Sequence, residues 1–141
     1  MKLEHEELHQ ELVKAAQAGG KIGEAAKAVA KALHPHFVSE EEYALPPLGL
    51  LSLLAEGKAP QEVEGVLKMT DKLKADLPRM LEEHRKIVAL LNHLSDAAKR
   101  EGRPEVARFA EKLTLHAQTE EEVLYPTSIL VGEYLKLKLG A

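Results

Sequence analysis

The chain contains no cysteine, which excludes disulfides, thiolate zinc sites, iron–sulfur clusters and cysteine nucleophiles. Any metal it holds must be bound by His, Asp, Glu or backbone oxygen. Aromatic residues are only 4% of the sequence and β-branched residues never gather into alternating runs, so nothing favours strands. A basic block is missing as well. Lys plus Arg number 19 against 23 Asp plus Glu, a formal charge of −4, so nucleic acid is not an expected partner. The most apolar stretch, 45–55, carries Pro46, Pro47 and Gly49 and falls far short of the roughly 20 residues that span a bilayer. The opening MKLEHEELHQ lacks the apolar segment of a secretion signal. A cytoplasmic protein with no membrane span is the expectation.

What is present favours helix. Ala, Leu, Glu and Lys dominate, and 141 residues with 45% hydrophobic content suit one domain over 1–141. Breakers at Gly19-Gly20, Pro46-Pro47, Gly57 through Pro60, Gly102 through Pro104 and Pro126 leave four long segments, roughly 2–18, 21–44, 71–101 and 104–125. Short helices are expected at about 48–56 and 60–68, and a last short one after Pro126. The fold class predicted is all-α: an up-down four-helix bundle with short extra helices between the second and third and at the C-terminus.

The apolar line of each helix, traced at steps of three and four, is where the chemistry enters. The third reads Leu77, Met80, His84, Ile87, Leu91, Leu94; the fourth Val106, Phe109, Leu113, His116, Glu120, Val123. The second gives Ile22, Ala26, Val29, Leu33, His36, Glu40, Tyr43, and the first His5, Leu8, Leu12, Ala15. Four imidazoles and two carboxylates thus face one core, with no Lys or Arg on the same lines. Burying such groups unpaired costs several kcal/mol each. Bound metal cations would compensate them.

An internal repeat sharpens this. His5 and His36 are 31 residues apart and His84 and His116 are 32 apart, and each second histidine is followed by Glu at the fourth position and Pro at the tenth. Aligning 33–50 with 113–130 pairs Leu33 with Leu113, His36 with His116, Glu40 to Glu42 with Glu120 to Glu122, Pro46 with Pro126 and Leu50 with Leu130. Two helix pairs related by a pseudo-twofold would present two equivalent ligand sets to one point. His and Glu at i and i+4 share a helical face, and mixed imidazole–carboxylate ligation suits iron or manganese, and zinc less specifically.

Through LEHEELHQEL, HPHFVSEEEYALPPL, MLEEHRKIVALL and HAQTEEEVLYP, the chain resembles the hemerythrin-like (HHE cation-binding) family. The resemblance implies a four-helix bundle holding two iron ions with a bridging oxo or hydroxo group. Carried over position by position, it makes His5, His36, His84 and His116 terminal ligands and Glu40 and Glu120 bridges. One departure stands out. Oxygen-carrying members use five histidines, two of them at i and i+4 on the third helix, but the position four after His84 is Val88. His9, four after His5, could supply a fifth imidazole from the first helix. With four histidines more coordination positions stay open, which favours redox or sensing chemistry over simple oxygen carriage.

Other features have plainer readings. HEELH at 5–9 matches the His-Glu-x-x-His zinc-protease pattern, but lacks its downstream residues. Glu6-x-x-His9 is half of a ferritin-like carboxylate motif whose second copy is missing. His34 and His93 fall off the ligand faces and read as surface residues. Tyr43 and Tyr125 could hydrogen-bond a bridging carboxylate or simply pack, packing being favoured. Pro35 removes a helical hydrogen bond just before His36. The 48–54 stretch and the C-terminal Ile129, Leu130, Val131, Tyr134, Leu135, Leu137 and Leu139 form either a lid over the bundle end or a homodimer interface. The leading expectation is a di-iron protein that binds or senses O2, NO or peroxide, or handles iron. A di-iron peroxidase- or ferroxidase-type oxidoreductase is the alternative, and a structural or zinc-binding bundle the second alternative.

Overall fold

His5, Leu8, Leu12 and Ala15 recur at helical spacing, and they form the buried face of α1 (Lys2–Gln17) in the computed structural model, which describes residues 2–140. Gly19 and Gly20 then turn the chain with φ of 73° and 58°, a left-handed conformation that glycine adopts without steric cost. So short a turn sends α2 (Gly20–Ser39) back alongside α1. The two approach closely at Gly23, where a Cβ would lie 2.9 Å from the Ala16 carbonyl oxygen. α2 continues unbroken through Pro35.

A π-helical turn (Glu40–Ala44), a 3-10 segment (Pro46–Leu50) and α3 (Leu51–Ala55) lead to α4 (Val63–Arg100). α5 (Pro104–Thr119) passes through a second π-helical turn (Glu120–Leu124) into α6 (Tyr125–Leu139). α1 packs on α2, α2 on α4, α4 on α5 and α5 on α1, which closes the all-α four-helix bundle. No helix among the described residues is long and apolar enough to cross a membrane.

Two boundaries differ from the sequence expectation. The third long helix starts at Val63 rather than near 71 and absorbs the short helix expected at 60–68, because after Pro60 nothing interrupts the helical pattern. Pro78, inside it, does not end it either. The C-terminal helix is not short: its 15 residues follow directly on the second π turn. Pro126 is tolerated because it sits in the first turn of α6, where a missing N–H costs little.

With 38 residues, α4 is roughly 57 Å long at 1.5 Å per residue, and its first half outruns the bundle. α6 packs against that half. The result is two apolar clusters. One fills the bundle with Leu8, Leu12, Val29, Ile87, Leu91, Phe109 and Leu113; the other gathers Tyr43, Leu45, Leu73, Met80 and Tyr125. His84 lies between Met80 and Ile87, so the polar residues form a layer between the two clusters. Val131 and Leu135 are buried and close the bundle end, whereas Leu51, Leu130 and Tyr134 line an exposed groove of about 380 Å³.

Contact between α4 and α6 depends on Gly132, where a Cβ would lie 2.6 Å from Thr70 Cβ. Thr70 is 2% exposed and cannot swing aside, since its own Cβ is the obstacle. Gly132→Ala is therefore expected to destabilise the protein by about 1–3 kcal/mol. Gly65→Ala, on the same α4 with open space around it, should stabilise by about 0.5–1 kcal/mol. Denaturant unfolding of both variants checks the opposite signs.

Candidate metal centre

Both π-helical turns begin at the glutamate of a His-x-x-x-Glu pair, at Glu40 and at Glu120. Such turns are rare and recur at functional sites. Each adds a residue to the turn and shifts the helical register. On the second, Val123 rotates to solvent at 53% exposed while Tyr125 is fully buried. Val123 therefore leaves the buried line on which spacing alone placed it. His5, His36, His84, Glu40 and Glu120 are all at most 2% exposed, and the His116 side chain is 8% exposed.

The imidazoles follow one rule of orientation. Each turns Nδ1 outward to a glutamate: His36 to Glu83 at 2.8 Å, His84 to Glu121 at 3.0 Å, His116 to Glu4 at 2.8 Å, and His5 towards Glu41 at 3.5 Å. For His36, His84 and His116 donation from Nδ1–H leaves Nε2 as a free base pointing inward, while His5 Nδ1 only faces Glu41 without a hydrogen bond. Carboxylates in this position fix the tautomer of a metal-binding histidine and raise its basicity. The outer glutamates obey the pseudo-twofold too: Glu4 and Glu83 precede His5 and His84, while Glu41 and Glu121 follow Glu40 and Glu120.

Inside this ring the donor atoms form two groups. The ligand atoms of His36, Glu40, His84 and Glu120 lie within 4.8 Å of one another, as do those of His5, His116 and Glu120. Glu120 belongs to both, with Oε1 3.3 Å from His84 Nε2 and Oε2 3.3 Å from His116 Nε2. Glu40 Oε1 stands 3.7 Å from the Nε2 atoms of both His5 and His36. Among the described side chains no lysine or arginine pairs with either glutamate.

The electrostatics reflect crowding of like charge. Burial, reinforced by Glu120, pushes the Glu40 carboxyl well above the usual carboxylate range. Glu120, despite burial, is held low by the neighbouring Glu40 carboxyl and by the His116, His5 and His84 imidazoles around it. Burial and the neighbouring His84 hold His36 below its ordinary value against the pull of Glu83. For His116 burial is outweighed by Glu120 and Glu4, so it is raised. Burial and the two carboxylates drive the Tyr125 phenol far up.

This donor set fits metal cations. His36 Nε2 and His84 Nε2 are 2.7 Å apart; with both Nδ1–H groups given to glutamate, their lone pairs converge and call for a shared proton or a metal cation beside them. His5 Nε2, His116 Nε2, Glu40 Oε1 and Glu120 Oε2 are buried with no hydrogen-bond partner, although buried polar atoms are nearly always satisfied. All these atoms point into the same layer.

The structure thus brings together His5, His36, Glu40, His84, His116 and Glu120. His9 is exposed and lies in neither donor group. It lines a groove of about 310 Å³ between α1 and α2, with His5, Leu33, His34 and Phe37. His34 and His93 are exposed, as expected, and Val88 is half-buried. Phe37 stacks on His5 with ring centroids 3.9 Å apart. The tyrosines diverge: Tyr43 donates to Asp76 at 2.7 Å, away from the centre, but Tyr125 donates to Glu40 Oε2 at 2.6 Å. Packing alone, favoured for both from sequence, is thus corrected for Tyr125. Sequence reasoning also missed the four outer glutamates, although Glu-His before each first histidine and Glu-Glu after each second one carried the signal.

The family model of the hemerythrin HHE cation binding domain matches residues 1–128 of the 141. No curated protein and no solved structure matches the chain.

Proposed function

The chain belongs to the hemerythrin HHE cation binding domain family, and from that premise we propose that His5, His36, His84 and His116 hold two iron ions bridged through Glu40 and Glu120, in a protein that binds or senses a small oxidant or diatomic ligand. The observation that carries this reading is Glu120, whose two oxygens address two different histidines, one in each donor group. A carboxylate so placed would suit a bridge between two ions better than a ligand of one. Two ferrous ions held by these residues would supply the electrons for engaging dioxygen, nitric oxide or peroxide.

The chain's own groups do the rest. Glu83, Glu121 and Glu4 keep His36, His84 and His116 in the tautomer that offers Nε2. The apolar clusters above and below exclude bulk water, so the charge of the ions is weakly screened. The groove between α1 and α2 reaches His5 and gives a small molecule its approach. Anaerobic reconstitution with ferrous iron, followed by addition and removal of O2 or NO, separates the readings. Reversible spectral change marks a binder or sensor. Sustained consumption of peroxide that depends on His116 marks the oxidoreductase instead.

Acid should weaken metal binding. Without metal, the raised Glu40 carboxyl retains a proton into the range where ordinary carboxylates are ionised. An entering ion must displace that proton, so binding releases it. Below the pKa of Glu40 the apparent affinity is expected to fall about tenfold per pH unit for each displaced proton. Chelator competition at several pH values measures the slope; a flat profile would contradict the assignment of Glu40.

A further inference from the structure

At Tyr125 the two halves of the repeat cease to be equivalent. Its partner in the alignment of 33–50 with 113–130 is Leu45, which has no donor atom. The Tyr125 side chain is fully buried. Its hydroxyl oxygen lies 2.6 Å from Glu40 Oε2, 3.1 Å from His84 Nε2 and 3.2 Å from His36 Nε2. Those three neighbours belong to a single donor group. The other group, around His5 and His116, has the apolar face of Phe37 stacked on His5 instead.

A hydroxyl has one proton, and here Glu40 receives it. Towards His36 and His84 the oxygen therefore presents lone pairs, while their inward Nε2 atoms present lone pairs to it and to each other. Three bases converge on one point. A cation there would be satisfied by all three, and a phenolic oxygen is a hard donor suited to ferric iron.

We propose that the Tyr125 oxygen is a direct ligand of the ion held by His36 and His84, so that the two metal positions are chemically different. This rests on the metal-centre reading above. On binding, the phenolic O–H bond breaks, an oxygen–metal bond forms, and the proton is released to solvent; no electron is transferred. The His36–His84 position is then the richer in protein ligands, and the open coordination falls to the His5–His116 position, beside the α1–α2 groove.

Ferric phenolates absorb in the visible and enhance tyrosinate ring vibrations in resonance Raman spectra, a readout independent of turnover. Wild type, Tyr125→Phe and Tyr43→Phe would be reconstituted with ferrous iron, oxidised in air, and assayed for iron and for these vibrations. The expected result is tyrosinate modes in wild type and Tyr43→Phe and their complete loss in Tyr125→Phe, with iron still bound. Should Tyr125→Phe hold no iron, wild-type modes that persist in both Tyr43→Phe and Tyr134→Phe make the same assignment, since the chain has three tyrosines. Iron-loaded wild type without tyrosinate modes, or Tyr125→Phe that keeps them, overturns the proposal and leaves the di-iron reading standing. Wild type that takes up no iron overturns both.

Discussion

Glu120→Ala is expected to empty both halves of the centre at once, whereas His93→Ala should leave metal content unchanged. Glu120 is the residue common to the two donor groups, and its oxygens stand 3.3 Å from His84 Nε2 and His116 Nε2. Removing it would take one ligand from each metal position and leave the Nε2 atoms of His84 and His116 without their anionic partner. Loss of a mere supporting hydrogen bond to a metal ligand costs about 10–100-fold in affinity, so loss of a shared ligand should exceed that. His84→Ala deletes a donor from one group alone and should weaken that position most. His93 is exposed on the same helix and serves as the control. Metal analysis after gel filtration of the variants reads the difference. Equal occupancy in Glu120→Ala and His93→Ala would sink the assignment of the buried face.

Metal loading should also raise thermal stability by a large margin. Without a cation, the inward atoms of His5, His116, Glu40 and Glu120 are buried and unpartnered, and each such atom costs about 1–3 kcal/mol. A ligand that binds only the folded state adds about 4 kcal/mol at a thousandfold excess over its Kd. For a chain of this length that corresponds to roughly 10–20 °C in the unfolding midpoint. Calorimetry of the iron-loaded protein against the same protein after exhaustive chelation measures it. A midpoint unmoved by metal would show that hydrogen bonds or water already satisfy the core.

Why those atoms were foreseeable, and others were not, follows from what periodicity can encode. The lines of α1 and α2 needed only steps of three and four, and every residue on them is buried, histidines and glutamate included. The repeat pairs the six central residues from the sequence alone. Past Glu120 the same arithmetic failed at Val123, which is 53% exposed in the second π turn, although Tyr43 at the matching position of the first is buried. Tyr125, for which spacing left a hydrogen bond to a bridging carboxylate and simple packing both open, reaches across to Glu40 of the other half.

The start of α4 at Val63 was missed for a different reason. The stretch after Pro60 reads as a helix of its own, and nothing in the sequence between it and residue 71 separates the two. Glu4, Glu41, Glu83 and Glu121 carry no periodic signal, since next to a buried ligand a helix places its neighbour towards the rim. There, an acid that looks like surface can still accept a hydrogen bond from an imidazole of the adjacent helix.

Metal content is the most direct test of the central claim. The protein, purified in air without chelator, would be analysed for bound metals and its near-ultraviolet and visible spectrum recorded. About two irons per chain, with oxo-bridge charge-transfer bands, is the result this account predicts. Zinc alone, or no metal even after reconstitution with ferrous iron, would contradict it and give the six-residue core a different purpose.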